Sequence, residues 1–483
     1  MKLNYHKLDS ESELGSLPIT PGNVYFTKDT AHIWMDPLEE DTRILIDSNY
    51  VHNMTITVLD HNGNAVSDIY VNIYNVFDDN SKVKYDQIPY NGSPINVILP
   101  KDFKYLIEPD EIPGYEVPAA SGTIQQDMEL SFKYTECKIY GVVWDKSATT
   151  ILARTGGAAL FEEPVPYVAG ATSYGSPFDN CMPWAGMTVS EDAAAGTVVA
   201  IPKFYYRWTN GSSLTLEIAS SYVEGFSVSP AHRDRGDGKG ERDVVYVGRY
   251  HCSANNFKSK TKIAPKVSLT RSVFRANIHA LGDTIWQNDY ALFWTIRMLY
   301  LVEYADWDSQ KVIGYGRGNG SAVETMGYTD SMPYHTGTML SSRTTYGVGT
   351  QYRNIEGVWD NCLDWCDGVY FSGANTYGIL NPNYFSDTSY GTLVCTRPTT
   401  AGYISAWQFS TMEGYDWFMW PSAVAGSTTS YVADLCYYYA SGVVLCVGGY
   451  YSQNLSCGMF YLSGSSAASS YGADVGSRLM ILP

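Results

Sequence analysis

Two tryptophans six residues apart, Trp359 and Trp365, with four carboxylates threaded around them at Glu356, Asp360, Asp364 and Asp367, constrain this chain more than any other feature. Each indole needs an apolar pocket and an acceptor for its N–H. Any of the carboxylates that is buried must be paired or hydrogen-bonded. The short apolar runs between Tyr352 and Phe371, interleaved with Asp and Asn, predict a buried turn-and-strand core and not an open amphipathic helix. Cys362 and Cys366 lie within it, and no histidine near them in sequence completes a zinc set.

The rest of the chain reads as short strands. Residues 22–26, 33–35 and 43–46 form three, too few to close a core alone, so the unit is expected to need copies of itself or a neighbour, with burial of Val24, Phe26 and Trp34 between subunits as the economical solution. From Val51 the pattern alternates with period two: Met54, Ile56 and Val58, a turn at Asn62-Gly63, then Ile69, Val71 and Ile73. Strands at 95–99, 104–107 and 130–134, separated by prolines, extend this into a small sandwich. A third region begins near Cys137. It contains two predicted helices, Ser268 to Ala280 with Ser268 or Thr270 as N-cap, and a second opened by a Thr284…Gln287 capping box and running to about Ala305. Arg297 is the only charge between Tyr290 and Val302, so the second helix should be buried on most faces.

Composition narrows function. A net charge of −18 argues against nucleic acid or an anionic membrane as partner. No segment reaches the roughly 18–20 apolar residues of a membrane span, and the first 20 residues lack the pattern of a signal peptide. Nine cysteines without framework spacing are expected to be reduced. The loop from Asp234 to Asp243 departs from the alternate spacing of a calcium loop; its Arg235-Gly-Asp237 tripeptide is expected to lie in a solvated, flexible turn. No catalytic residue, metal ligand or cofactor site is expected.

The C-terminal part has its own vocabulary. Lys311 is the last lysine and Glu413 the last glutamate, and nine tyrosines follow from Tyr415 onward among Ser, Gly, Ala and Thr. Rigid aromatics with small polar neighbours suit a recognition surface. A neighbouring subunit or the domain core could also receive these tyrosines.

Three motifs carry a resemblance. Trp359-Asp-Asn-Cys-Leu-Asp-Trp365 resembles the W-G-N-x-W-E-W motif of the C-type-lectin-like fold, shared by formylglycine-generating enzymes and variable receptor-binding proteins of bacteriophage tails. Asp360 replaces the motif's glycine and Leu363 its middle tryptophan. Gly448-Gly449-Tyr450-Tyr451 is similar to the family's R-G-G-x-W turn with Val447 for arginine, and Gly476-Ser477-Arg478 to its closing G-F-R. Upstream, residues 59–66 with Gly114-Tyr115 resemble immunoglobulin-like spacer domains.

The resemblance implies a mainly β chain with some α: an N-terminal β module (1–50) for trimerisation or virion attachment, an immunoglobulin-like β-sandwich (51–136), and a C-terminal C-type-lectin-like α+β domain with two helices (137–483). It further implies a homotrimeric tail-fibre or receptor-binding protein of the virion. The partners would be a bacterial surface receptor, glycan or protein, and other tail proteins. Around the Gly448-Gly449 turn it directs attention to Tyr431, Tyr437, Tyr438, Tyr439, Tyr450, Tyr451, Asn454 and Tyr461 as the receptor-binding set. Many relatives diversify such residues through asparagine codons, which yield Tyr, Ser, Asp and Gly but not Lys, Glu or Trp; residues 421–483 contain none of those three. The other classes left open are a virion structural or decoration protein and a formylglycine-generating-type oxidoreductase.

Overall fold

A computed structural model describes residues 4–20, 23–28, 30, 32–36, 44–46, 51–77, 81–388 and 391–483. Gly22 and Arg43, which begin two of the predicted strands, lie outside them. The fold is mainly β and divides into two compact units, one of residues 1–137 with 221–224, the other of 138–220 and 225–483.

In the first unit a four-stranded sheet runs in the order Asn4–Leu8, Asn23–Thr27, His32–Met35, Ile44–Ile46, its first pair parallel and the others antiparallel. The strand Asn4–Leu8 and the 3-10 turn Glu11–Ser16, whose Leu14 is buried, were absent from the sequence reading. With them Val24 and Phe26 are already buried within one chain. The expectation that these two side chains wait for a second subunit is therefore corrected.

The sandwich follows the alternation. Val51–Leu59 pairs with Ile95–Pro100 and, in parallel, with Met128–Lys133; Ile69–Val76 pairs with Lys82–Tyr90 and Lys104–Pro109. Met54, Ile56, Val58, Val71 and Ile73 are fully buried between the sheets. At the turn, the Asp60 carboxylate accepts from the backbone N–H groups of Asn62 and Asn64 at 2.8 Å each.

Among the described residues, the second unit contains two five-stranded sheets, a three-stranded one and a nine-stranded one. Strand Leu363–Ser372, within the Trp/Asp segment, is interior to the largest sheet, between Asn375–Gly378 and Val444–Val447, and also pairs in parallel with Val475–Ser477. The helix Arg271–His279 starts at Thr270, whose hydroxyl accepts from Val273 N–H. The second helix is Tyr290–Tyr304, and all of its residues are buried. Its start corrects the sequence reading: Ile285–Gln287 is a strand paired with Leu479–Ile481, and the cap is Asp289, which accepts from Leu292 N–H at 2.8 Å. A long-range strand pairing overrides the local capping-box pattern. Arg297, buried on this helix, donates to the Met459 carbonyl at 2.7 Å and lies over the Phe293 ring. Burial pushes its guanidinium down to about 9.

The Asp234–Asp243 loop is also corrected. Arg235 is 2% exposed and ion-paired with Asp289, and Arg242 is paired with Asp237, so buried charges anchor both ends of the loop. Among the described residues, no helix is long and apolar enough to cross a membrane.

Candidate functional site

The site is built outward from the Trp/Asp segment. Trp359 donates its indole N–H to the Gly314 carbonyl at 3.2 Å and Trp365 to that of Leu269 at 2.9 Å. All four carboxylates are buried, and each has partners. Glu356 accepts from the N–H groups of Gly327 and Thr329 and from the Thr329 hydroxyl. Asp360 accepts from Thr350 N–H at 2.8 Å and the Tyr328 hydroxyl at 3.0 Å. Asp364 lies 2.8 Å from His251 Nδ1 and 3.4 Å from Arg478 Nε. Asp367 takes a two-pronged pair from Arg275 at 2.8 and 2.6 Å. Burial raises the Glu356 carboxyl to about 7; at Asp364 burial acts the same way, but His251 and Arg478 outweigh it and hold the group below its usual range.

Arg478 closes this core. It donates to the carbonyls of Gly248, Arg249, Glu356 and Gly357, tying its strand end to two separate segments. The glycine turn is packed on the same core. Gly448 has φ +81°, and a Cβ on Gly449 would lie 2.4 Å from Cys457 Sγ and 2.5 Å from the Trp359 carbonyl. Only glycine lets this turn sit so close, and the chain leaves it at Tyr450 in a fixed place.

Beside the turn is an open cleft of about 280 Å³. Its walls come from Tyr437, Tyr450 and Tyr461, from Ser463, Ser465 and Ser466 on strand Leu462–Ser466, and from the loop carrying Ser470, Tyr471 and Asp474. Leu363 and Trp365 also contribute, so the buried segment reaches the cleft directly. The alternation of Ser463-Gly-Ser465 puts two hydroxyls on one face, 2.9 Å apart. Tyr461 is 3% exposed and its hydroxyl accepts from Gln453 Nε2 at 3.2 Å; Gln453 Oε1 is buried with no hydrogen-bond partner. Tyr437 and Tyr471 are 42% and 70% exposed. Asp474 is the one charged residue in the lining, which contains no Lys, Arg or His.

The eight residues singled out from sequence separate. Tyr437, Tyr450 and Tyr461 share the cleft, although Tyr461 is a wall and not a surface group. Tyr451 meets Tyr450 edge-on at 5.5 Å, and Asn454 is exposed on the following turn. Tyr438 lies against Arg397, whose guanidinium is between the Phe371 and Tyr438 rings and donates to the carbonyls of Gly373, Tyr439, Gly442 and Gly464. Tyr439 is 66% exposed on the turn so clamped. Tyr431 is elsewhere, half-buried against the main core with its N–H on the Ala148 carbonyl. The sequence reading missed Gln453, the serines, Tyr471 and Asp474; the serine alternation was the available signal.

All nine cysteines are free. Burial pushes the Cys446 and Cys457 thiols up, the opposite of what a nucleophilic thiolate requires. Among the described residues, no three His, Cys, Asp or Glu side chains gather as a metal site.

No protein-family model matches the chain, and no curated protein does. Among solved structures, the chain is similar to the Major Tropism Determinant U1 variant, at 9% identity over 100% of this chain and 99% of that one, with a TM-score of 0.27. The M1 variant is similar at 10% identity over 100% and 98%, with a TM-score of 0.26. BcpA, the major pilin subunit of Bacillus cereus, is similar at 11% identity over 37% of this chain and 56% of its own, with a TM-score of 0.15. TM-scores this low carry no argument about fold or function.

Proposed function

We propose that this is a receptor-binding protein of a bacteriophage tail, and that the cleft beside the Gly448-Gly449 turn is its contact with the bacterial surface. One observation carries the reading: an open cleft lined by tyrosines and serines stands on a buried, ion-paired core. Recognition sites favour adaptable hydroxyls and aromatics held by a stiff frame. The Trp359–Trp365, Gly448-Gly449 and Gly476–Arg478 resemblances support a C-type-lectin-like framework for it. The raised thiols of Cys446 and Cys457 favour binding over formylglycine-type oxidation. Virion attachment through the N-terminal strands, a threefold assembly and codon-directed diversification belong to the same proposal. With Val24 and Phe26 buried inside one chain, the trimer has to be tested by light scattering on its own account.

The test is binding of fluorescently labelled full-length protein to a panel of bacterial strains. Binding to a subset of strains, lost when Tyr437, Tyr450 and Tyr471 are replaced by alanine together, is the expected result. Binding to virion proteins and to no bacterial surface would replace this reading with that of a decoration protein.

A further inference from the structure

We propose that the cleft takes one neutral saccharide unit, an inference that rests on the reading of this cleft as a recognition site. Its volume of about 280 Å³ is at the foot of the roughly 300–1,000 Å³ range of small-molecule pockets, room for a sugar ring and not for an extended chain. Charge narrows the class. With no cation in the lining and Asp474 as its one charge, an acidic sugar or a phosphate would meet a carboxylate and no counter-ion. A neutral polyol meets neither difficulty, and its hydroxyls can donate to Asp474.

Hydrogen bonding points the same way. Each serine and tyrosine hydroxyl both donates and accepts, so Ser465, Ser466 and Ser470 keep capacity for a ligand's hydroxyls beside their own bonds to Ser463, Cys446 and the Ala467 N–H. Gln453 takes part as a wall, its amide held against the Tyr461 hydroxyl. The rings of Tyr437, Tyr450 and Tyr471 provide amphipathic surface for the C–H faces of a pyranose, while their hydroxyls remain available to its edges. A peptide would use the same aromatics but would also present backbone N–H and C=O groups along an edge or groove longer than this cleft.

The test titrates the full-length protein with glucose, galactose, mannose and N-acetylglucosamine, and with glucuronic and N-acetylneuraminic acids, using saturation-transfer NMR and calorimetry. At least one neutral sugar should bind. Ser470→Trp, which fills the cleft from an external loop, should weaken it by about tenfold or more, with the thermal transition unchanged. Absence of binding by every neutral sugar, tighter binding of an acidic one, or binding that Ser470→Trp leaves intact would overturn the proposal. The two readings fail separately. Cell binding lost in Ser470→Trp without any sugar binding sinks the saccharide and keeps the receptor role. Sugar binding lost in that variant with cell binding intact does the reverse.

Discussion

The Glu356–Asp367 segment and the cleft beside it share the strand Leu363–Ser372 and use opposite chemistry. In the segment every carboxylate is buried and matched, two by backbone and hydroxyl donors and two by Arg or His side chains. In the cleft charge almost disappears and hydroxyls replace it. The difference separates holding from binding. Buried, matched charges admit one geometry, because breaking a pair leaves an ion stranded. Neutral hydroxyls can be rearranged or replaced at small cost, which suits a surface that meets something variable.

The largest effect should come from breaking the matched side. Asp367→Ala leaves Arg275 and Arg271 with Asp387 as their remaining acidic partner. It should cost about 3–5 kcal/mol of the second unit's stability, measured by denaturant unfolding. Next is a pH effect at Glu356, whose carboxyl burial raises from 4.5 to about 7. Between those values the folded chain holds a proton that the unfolded chain has released. The group's contribution is therefore complete below pH 4.5 and falls as pH rises to 7. Glu356→Gln should remove this decline, about 3 kcal/mol across the window, so the variant's stability curve against pH is flatter than the parent's. Gly449→Ala, with its Cβ against Cys457 and the Trp359 carbonyl, should cost about 1–3 kcal/mol through overpacking and also weaken ligand binding by shifting Tyr450. The smallest stability effect is expected at the cleft rim, where Tyr471→Ala should stay within about 0.5 kcal/mol in the same unfolding assay.

Legibility in the sequence follows the same division. The sandwich could be read because Met54, Ile56 and Val58 obey period two over a contiguous stretch. The tryptophan and carboxylate spacing announced a buried, matched core before any partner was known, and the partners Arg275, His251 and Arg478 lie far away in sequence. Distance in sequence also explains the misreadings. Thr284…Gln287 looks like a helix start, yet Ile285–Gln287 pairs with a strand almost 200 residues later. Arg235 looks like a solvated loop charge until Asp289 is seen beside it. The tyrosine content identified the cleft's vocabulary but not its membership. Tyr431 and Tyr438 face protein, while Tyr471 and Gln453 complete a cleft that only the sheet order assembles.

The central claim is that the matched core holds and the neutral cleft binds. The most direct test is the Tyr437→Ala/Tyr471→Ala double variant, assayed in parallel for thermal unfolding and for binding to the bacterial strains that the parent protein recognises. The account predicts an unfolding transition within about 0.5 kcal/mol of the parent and cell binding reduced by at least about tenfold. Undiminished cell binding by a folded double variant would contradict it.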